Sequence, residues 1–209
     1  MTDFRFKRMA AATTIGLALC GMLSGCGALL LGGVVGTGLV ATDRRTTGIQ
    51  LEDEAIELKA GSRIRDLATL GHVNVTSYNR LVLLTGEVPG EAEKTAAAQA
   101  AGKVENVRSV INELAVAGNT SLSSRSSDTL ISAKVKATLV DAKDVQANAY
   151  KVVTERGTVY LMGRVTEREA GRGSDLARAV SGVQKVVRVF EILSEEELAA
   201  MARSGGAPK

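Results

Sequence analysis

Most of this sequence is a repeat, so the chain must solve one packing problem twice. Residues 73–88 (VNVTSYNRLVLLTGEV) align with residues 150–165 (YKVVTERGTVYLMGRV) at a constant offset of 77. Val75 falls on Val152, Val82 on Val159, Leu84 on Leu161, Gly86 on Gly163 and Val88 on Val165. A second block, VENVRSVI (104–111), matches VSGVQKVV (180–187) at an offset of 76. A core of small aliphatic residues fits compact helix-on-sheet units better than a large enzyme fold with a deep cleft.

The pattern inside each copy reads helix, hairpin, helix, strand. Val152 and Thr154 alternate with outward residues, which is the period of a strand. Arg156-Gly157 is a turn signal between two such runs. Val159, Leu161, Gly163 and Val165 then share one face of the next strand. A glycine on that face, repeated at Gly86, predicts a close approach of a helix backbone. The following helix is predicted over 90–104 in copy one, with Ala92, Ala96, Ala100 and Val104 as its stripe, and over roughly 167–181 in copy two. Gly171 and Gly173 interrupt the latter at a cost of about 1 kcal/mol each relative to Ala. Gly182, with Asn106 as its partner in copy one, is predicted to take the left-handed helix cap. The last strands are predicted over 107–116 and 184–193. In front of each hairpin lies a further helix, roughly 52–68 in copy one, on Ile56, Ile64 and Leu67. In copy two it is capped by Ser127 or Asp128, runs to Val140, and buries Ile131, Val135 and Leu139.

The expected fold is therefore α+β: two tandem αββαβ units, each with helices on a small three-stranded mixed sheet. The expected division is 51–117 for the first unit, 118–127 for a Ser-rich linker and 128–193 for the second unit. Residues 194–209 form a C-terminal piece opened by a Ser194/Glu197 capping box, making two turns of helix before it frays. With aromatic residues at 3% and no Trp in a 45% hydrophobic chain, the two cores must be built from Val, Leu, Ile and Ala.

The N-terminus has a different logic. Arg5, Lys7 and Arg8 precede the apolar run MAAATTIGLALCGML (9–23), an order that marks a secretory signal over 1–25. That run is shorter than the roughly 20 apolar residues of a membrane span. Leu23-Ser24-Gly25-Cys26 resembles a bacterial lipobox, with small residues where the peptidase needs close access and a thiol to accept the lipid. The competing readings are an ordinary signal peptide with a coincidental Cys, or a short uncleaved anchor. Cys20 follows the bulky Leu19 and fits the motif less well. Acyl chains contribute roughly 0.8 kcal/mol per buried CH₂, so several of them on Cys26 hold a protein at a membrane. Gly27 lacks the Asp that retains such proteins in the inner membrane, which by analogy implies the outer one. Five glycines within 27–41 weaken any helix there, and 26–50 reads as lipidated Cys and tether.

Composition excludes several functions. The leader supplies two of the three net positive charges, so the mature chain is close to neutral and lacks the basic footprint of a nucleic-acid binder. Both cysteines lie within the first 26 residues, which leaves no disulfide framework for the body. The only histidine, His72, cannot form a His/Cys metal cluster. No nucleophile elbow, phosphate loop or metal-ligand spacing occurs, and Glu167 and Glu169 sit where helix starts favour acids. The residues predict no enzyme, no cofactor beyond the covalent lipid on Cys26, and no metal.

Two αββαβ copies with a glycine after a "V-x-L" strand, and a "GV-x-x-V" approach to the last strand, resemble BON domains. The full layout resembles the dual-BON outer-membrane lipoproteins, through ATDRRTTGIQ (41–50), DTLISAKVKATLV (128–140) and VYLMGRVTEREA (159–170). The resemblance implies envelope integrity rather than catalysis, with the protein anchored at the outer membrane and facing the periplasm. It implies further that the first helix of the second domain contacts anionic phospholipid, through Leu130, Lys134, Lys136, Val140 and Lys143. At Leu130 this chain departs from the family pattern, where an aromatic ring can sit. On charge pattern alone, Lys134 and Lys136 read as a solvated helix face. The alternative function is a protein-interaction module that assists outer-membrane protein assembly through exposed helices or strand edges.

Overall fold

The computed structural model describes residues 43–67 and 71–205. The leader, the lipidation at Cys26 and the tether up to residue 42 lie outside the described residues, as does the tail from residue 206. The described residues belong to one compact unit. No helix among the described residues is long and apolar enough to cross a membrane.

The first copy comprises α1 (Thr47–Arg65), β1 (His72–Tyr78), β2 (Leu81–Val88), α2 (Glu91–Gly102), β3 (Ser109–Asn112) and β4 (Ala115–Val116). The second comprises α3 (Leu122–Asp141), a 3₁₀ turn (Ala147–Ala149), β5 (Tyr150–Glu155), β6 (Thr158–Thr166), α4 (Glu167–Arg178) and β7 (Lys185–Leu193), and α5 (Glu195–Gly205) follows. In each copy the hairpin is antiparallel and the last strand returns parallel to the second hairpin strand, so the sheet order is β1-β2-β3 and β5-β6-β7. A helix connects the two parallel strands in both, as a parallel crossover demands.

Each sheet has two buried faces. Ile56, Ala60, Ile64, Val82, Leu84 and Ala101 belong to one core, and Ile131, Val135, Leu139, Val152, Leu161 and Ala177 to its counterpart. The opposite faces meet each other: Tyr78 and Leu83 of copy one pack with Tyr160, Met162 and Val189 of copy two. The layers therefore run helices, sheet, sheet, helices. The central layer contact was not an expectation of the repeat reading, which treated alternate strand residues as outward.

Several boundaries differ from the sequence reading. The segment expected as a linker, 118–127, is helical from Leu122. Ser121 rather than Ser127 or Asp128 caps that helix, by accepting from the Ser124 N–H. The hydroxyls of Ser126, Ser127 and Thr129 turn back onto the carbonyls of Leu122, Ser123 and Arg125, so polar residues are absorbed into the helix instead of stopping it. Helix α1 likewise begins early, capped by Thr46, and Leu67 lies beyond its end, exposed. The stripe of α2 is Ala97, Ala100 and Ala101, one step round from the expected Ala92 and Ala96, with Val104 buried just after it. Helix α5 has the Ser194/Glu197 capping box but runs 11 residues, about three turns.

The recurring glycine has a different cause from the one expected. A Cβ on Gly163 would stand 2.2 Å from the Ala149 carbonyl oxygen, and one on Gly86 would stand 2.0 Å from that of His72. The close neighbour is thus the end of the 3₁₀ turn just before β5 in one copy and the first residue of β1 in the other, not a packed α-helix. Gly86 alone of the two has a positive φ, +114°. The parallel ladder of copy one breaks opposite it, between Asn112 and Ala115, without losing register, whereas β6 and β7 pair unbroken over nine residues. One predicted strand, 107–116, therefore becomes β3 and β4, and the sheet counts four strands. Gly182 has φ +98° and Asn106 has φ +67°. Gly173 is explained by the Tyr150 ring, 2.6 Å from where a Cβ would be, while Gly171 faces open space.

Candidate functional site

Helix α3 presents two faces. Ile131, Val135 and Leu139 point into the core of copy two. On the other side Leu130 is 62% and Val140 68% exposed. At about 100° per residue, Leu130, Ala133, Ala137 and Val140 form one outward stripe, and both alanines are exposed. Lys134 and Lys136 fall on opposite flanks of that stripe, and both are exposed. Lys143 follows two residues after the helix, also exposed. Among the described residues none of these three lysines forms an ion pair. The site residues named from sequence are thus gathered on one surface, with Lys143 at its end.

Asp128 is held out of that surface by its own chemistry. It is buried, and its carboxylate accepts hydrogen bonds of 2.8 Å from the N–H groups of Arg156 and Gly157, at the turn of the second hairpin. Asp53 does the same in copy one, accepting from the N–H groups of Asn79 and Arg80, each 2.8 Å, and from the Ser77 hydroxyl at 2.7 Å. Arg80 and Arg156 both have positive φ, so each turn needs an anchor. The sequence signal was an aspartate at the same place in both first helices.

The two copies are joined by polar groups around the sheet-to-sheet contact. Glu191 accepts from Asn79, Arg108 and Arg164 at 2.7, 2.7 and 3.0 Å. Lys151 donates to Glu57 at 2.7 Å and to the Ser77 carbonyl at 3.0 Å. The segment before α1 straps both copies. Arg44 donates to both carboxylate oxygens of Glu169 and to the Arg164 carbonyl. Arg45 donates to Asp43 and Asp53 and lies 4.1 Å from the centroid of the Tyr78 ring. Burial opposes ionisation of Glu169, but the Arg44 hydrogen bonds and the Thr166 N–H outweigh it and hold the carboxyl below its usual range. Glu191 is held low in the same way by Arg108 and Asn79 against burial.

A third cluster lies at the rim of the interface. His72 and Glu87 are cross-strand partners on β1 and β2, and Glu155 ends β5. One side-chain ligand atom of each lies within 4.8 Å of the other two. Burial and the charge of Arg125 push the His72 imidazole down, with Glu87 opposing. Burial pushes the Glu155 carboxyl up against the Asn74 hydrogen bond, aided by Glu87 and Asp128. This cluster was missed from sequence, where a lone His72 gave no His/Cys cluster and no metal was expected. Its members are far apart in the chain, and only the pairing of the two copies collects them.

The BON-domain family model matches residues 52–118 and 127–194, one match for each copy. The chain belongs to the BON-domain family, as a tandem of two such domains. The outer membrane lipoprotein DolP of Haemophilus influenzae is 40% identical over 174 residues, 82% of this chain and 90% of that protein. The 21 kDa hemolysin of Actinobacillus pleuropneumoniae is 32% identical over 71% of this chain and 78% of its own length. The osmotically-inducible protein Y of Escherichia coli is 30% identical over 70% and 76%.

Proposed function

We propose that this chain is a non-enzymatic envelope-integrity lipoprotein, held at the outer membrane by lipid on Cys26 and facing the periplasm, whose second BON domain docks on anionic phospholipid through α3. The similarity to the outer membrane lipoprotein DolP supports the location and the envelope role. The observation that carries the docking is the outward stripe Leu130, Ala133, Ala137 and Val140 with Lys134 and Lys136 on its flanks. An apolar stripe between cations is the pattern of a helix lying in a lipid interface. Each lysine near an anionic surface contributes about 1 kcal/mol, and the anchor raises the local concentration of lipid so that a weak site suffices.

The test uses residues 42–209 titrated with phosphatidylglycerol-containing micelles, followed by amide chemical shifts. Shifts concentrated on 128–143, and reduced in Lys134→Glu and Lys136→Glu, support the reading. No shifts, or equal shifts with neutral lipid alone, overturn it. A protein-binding reading then leads, favoured by Leu51 and Leu58, seven residues apart and 62% and 75% exposed on α1.

A further inference from the structure

Glu87 has no contact with solvent, and its Oε1 has no hydrogen-bond partner. Among the described residues, its other oxygen accepts only long hydrogen bonds from Thr120, 3.4 Å from N and 3.3 Å from Oγ1. The Nδ1 of His72 is buried and equally unpartnered, 3.9 Å from Glu87 Oε2. Glu155 brings a third ligand, 6% exposed, fixed by a 2.9 Å hydrogen bond from Asn74. Buried acceptors left open cost free energy unless a donor or a cation reaches them. Arg156 stands 3.9 Å from Glu87 Oε1, too far for a hydrogen bond.

The geometry points to a divalent metal site formed by His72, Glu87 and Glu155, built across the two BON domains. One imidazole nitrogen with two carboxylates suits a transition cation of the zinc class better than calcium or magnesium, which prefer all-oxygen shells. The ligand atoms already lie within 4.8 Å of one another, and zinc bonds of about 2.0–2.2 Å require them to close by roughly an ångström. A cleft of about 340 Å³ is lined by His72 and Glu155 together with Asn74, Arg125, Asp128 and Ser132, so two of the three ligands border a route to solvent. Two ligands belong to the first domain and one to the second, so the metal joins the sheets at their rim and stabilises the paired arrangement. This inference does not rest on the lipid reading.

The experiment takes the full chain, purified in neutral detergent without a polyhistidine tag and stripped with chelator. Zinc alone is titrated against a chromophoric chelator, and Tm is recorded with and without it. His72→Gln and Glu155→Gln are compared with the unaltered chain after their spectra in chelator show native folding. The expected result is one zinc bound per chain, a raised Tm, and at least about tenfold weaker binding in both variants. Equal zinc affinity in all three, or none in the unaltered chain, overturns the site. A second measurement needs no variant: cobalt added to the unaltered chain gives visible d–d bands without a thiolate charge-transfer band. A thiolate band or no spectrum overturns the assignment.

Discussion

Arg44 grips Glu169 with two parallel hydrogen bonds of 2.7 and 2.8 Å, from the segment before the first domain to the first turn of the last helix in the second. Both side chains are nearly buried, at 10% and 5% exposure. Removing one partner leaves the other charge buried and unpaired. Arg44→Ala is therefore expected to cost about 3 kcal/mol, read as a lowered urea midpoint. Loss of less than about 0.5 kcal/mol would show that the strap is ornamental.

The pH dependence follows from the same pair and from Glu191. Both carboxyls are held below their ordinary value, so their contribution is complete above about pH 4.5 and is lost as pH falls through the folded values. Urea midpoints measured from pH 6.5 down to 3 should fall, and Arg44→Ala should flatten part of that fall. Glu155 has the opposite sign. Its raised value gives a contribution present below about pH 4.5 and lost as pH rises. In chelator, Glu155→Gln is expected to be at least as stable as the parent at pH 7.

Two neighbouring glycines in α4 should behave oppositely. Gly171→Ala meets nothing within 4 Å and gains helix propensity, about 1 kcal/mol. Gly173→Ala places a Cβ against the Tyr150 ring, whose edge-on contact with Phe190 and hydroxyl bond to the Glu169 carbonyl fix it in place. A destabilisation of about 1–3 kcal/mol is expected. Thermal unfolding of the two variants decides it, and equal shifts would refute the argument.

Asp128→Ala withdraws the acceptor from two backbone N–H groups at the second hairpin turn. A loss of about 2–3 kcal/mol is expected, with faster amide exchange at Arg156 and Gly157. Unchanged exchange at those two positions would mean that the turn holds itself.

Leu130→Trp puts a ring on the outward stripe of α3. Vesicle cosedimentation should then show tighter binding to phosphatidylglycerol vesicles and little change in stability, because Leu130 is largely exposed. A change in stability instead of binding would count against the lipid interface.

Much of this architecture was legible because burial repeats. The offset of 77 fixed the hairpins, and the pairing of Gly182 with Asn106 marked both helix ends. What escaped was set by partners distant in sequence. The serines of 121–127 have the composition of a linker, yet Ser121 caps a helix and Ser126 and Ser127 bond back to its carbonyls. Asp128 has the appearance of a cap, yet a turn 28 residues on claims it. Tyr160 and Met162 alternate with core residues and so seemed outward, until the sheets of the two copies met. The glycine clash was foreseen at the right positions, Gly86 and Gly163, with the wrong neighbour, since periodicity reports a face and not what lies against it. The residues proposed to meet lipid were named through resemblance, and the stripe with lysines on its flanks only emerged once α3 had a defined inner side. His72, Glu87 and Glu155 had no local spacing to read.

The Asp43–Arg45 strap also determines how the molecule bears load. The chain passes from residue 42 directly into Arg44 and Arg45, one tied to each domain. Tension applied through the N-terminal segment is therefore divided between the two domains at its first point of attachment, and no single helix takes it end-on. A body strapped in this way resists being peeled open from its N-terminal end, because the pull loads both halves of the sandwich at once.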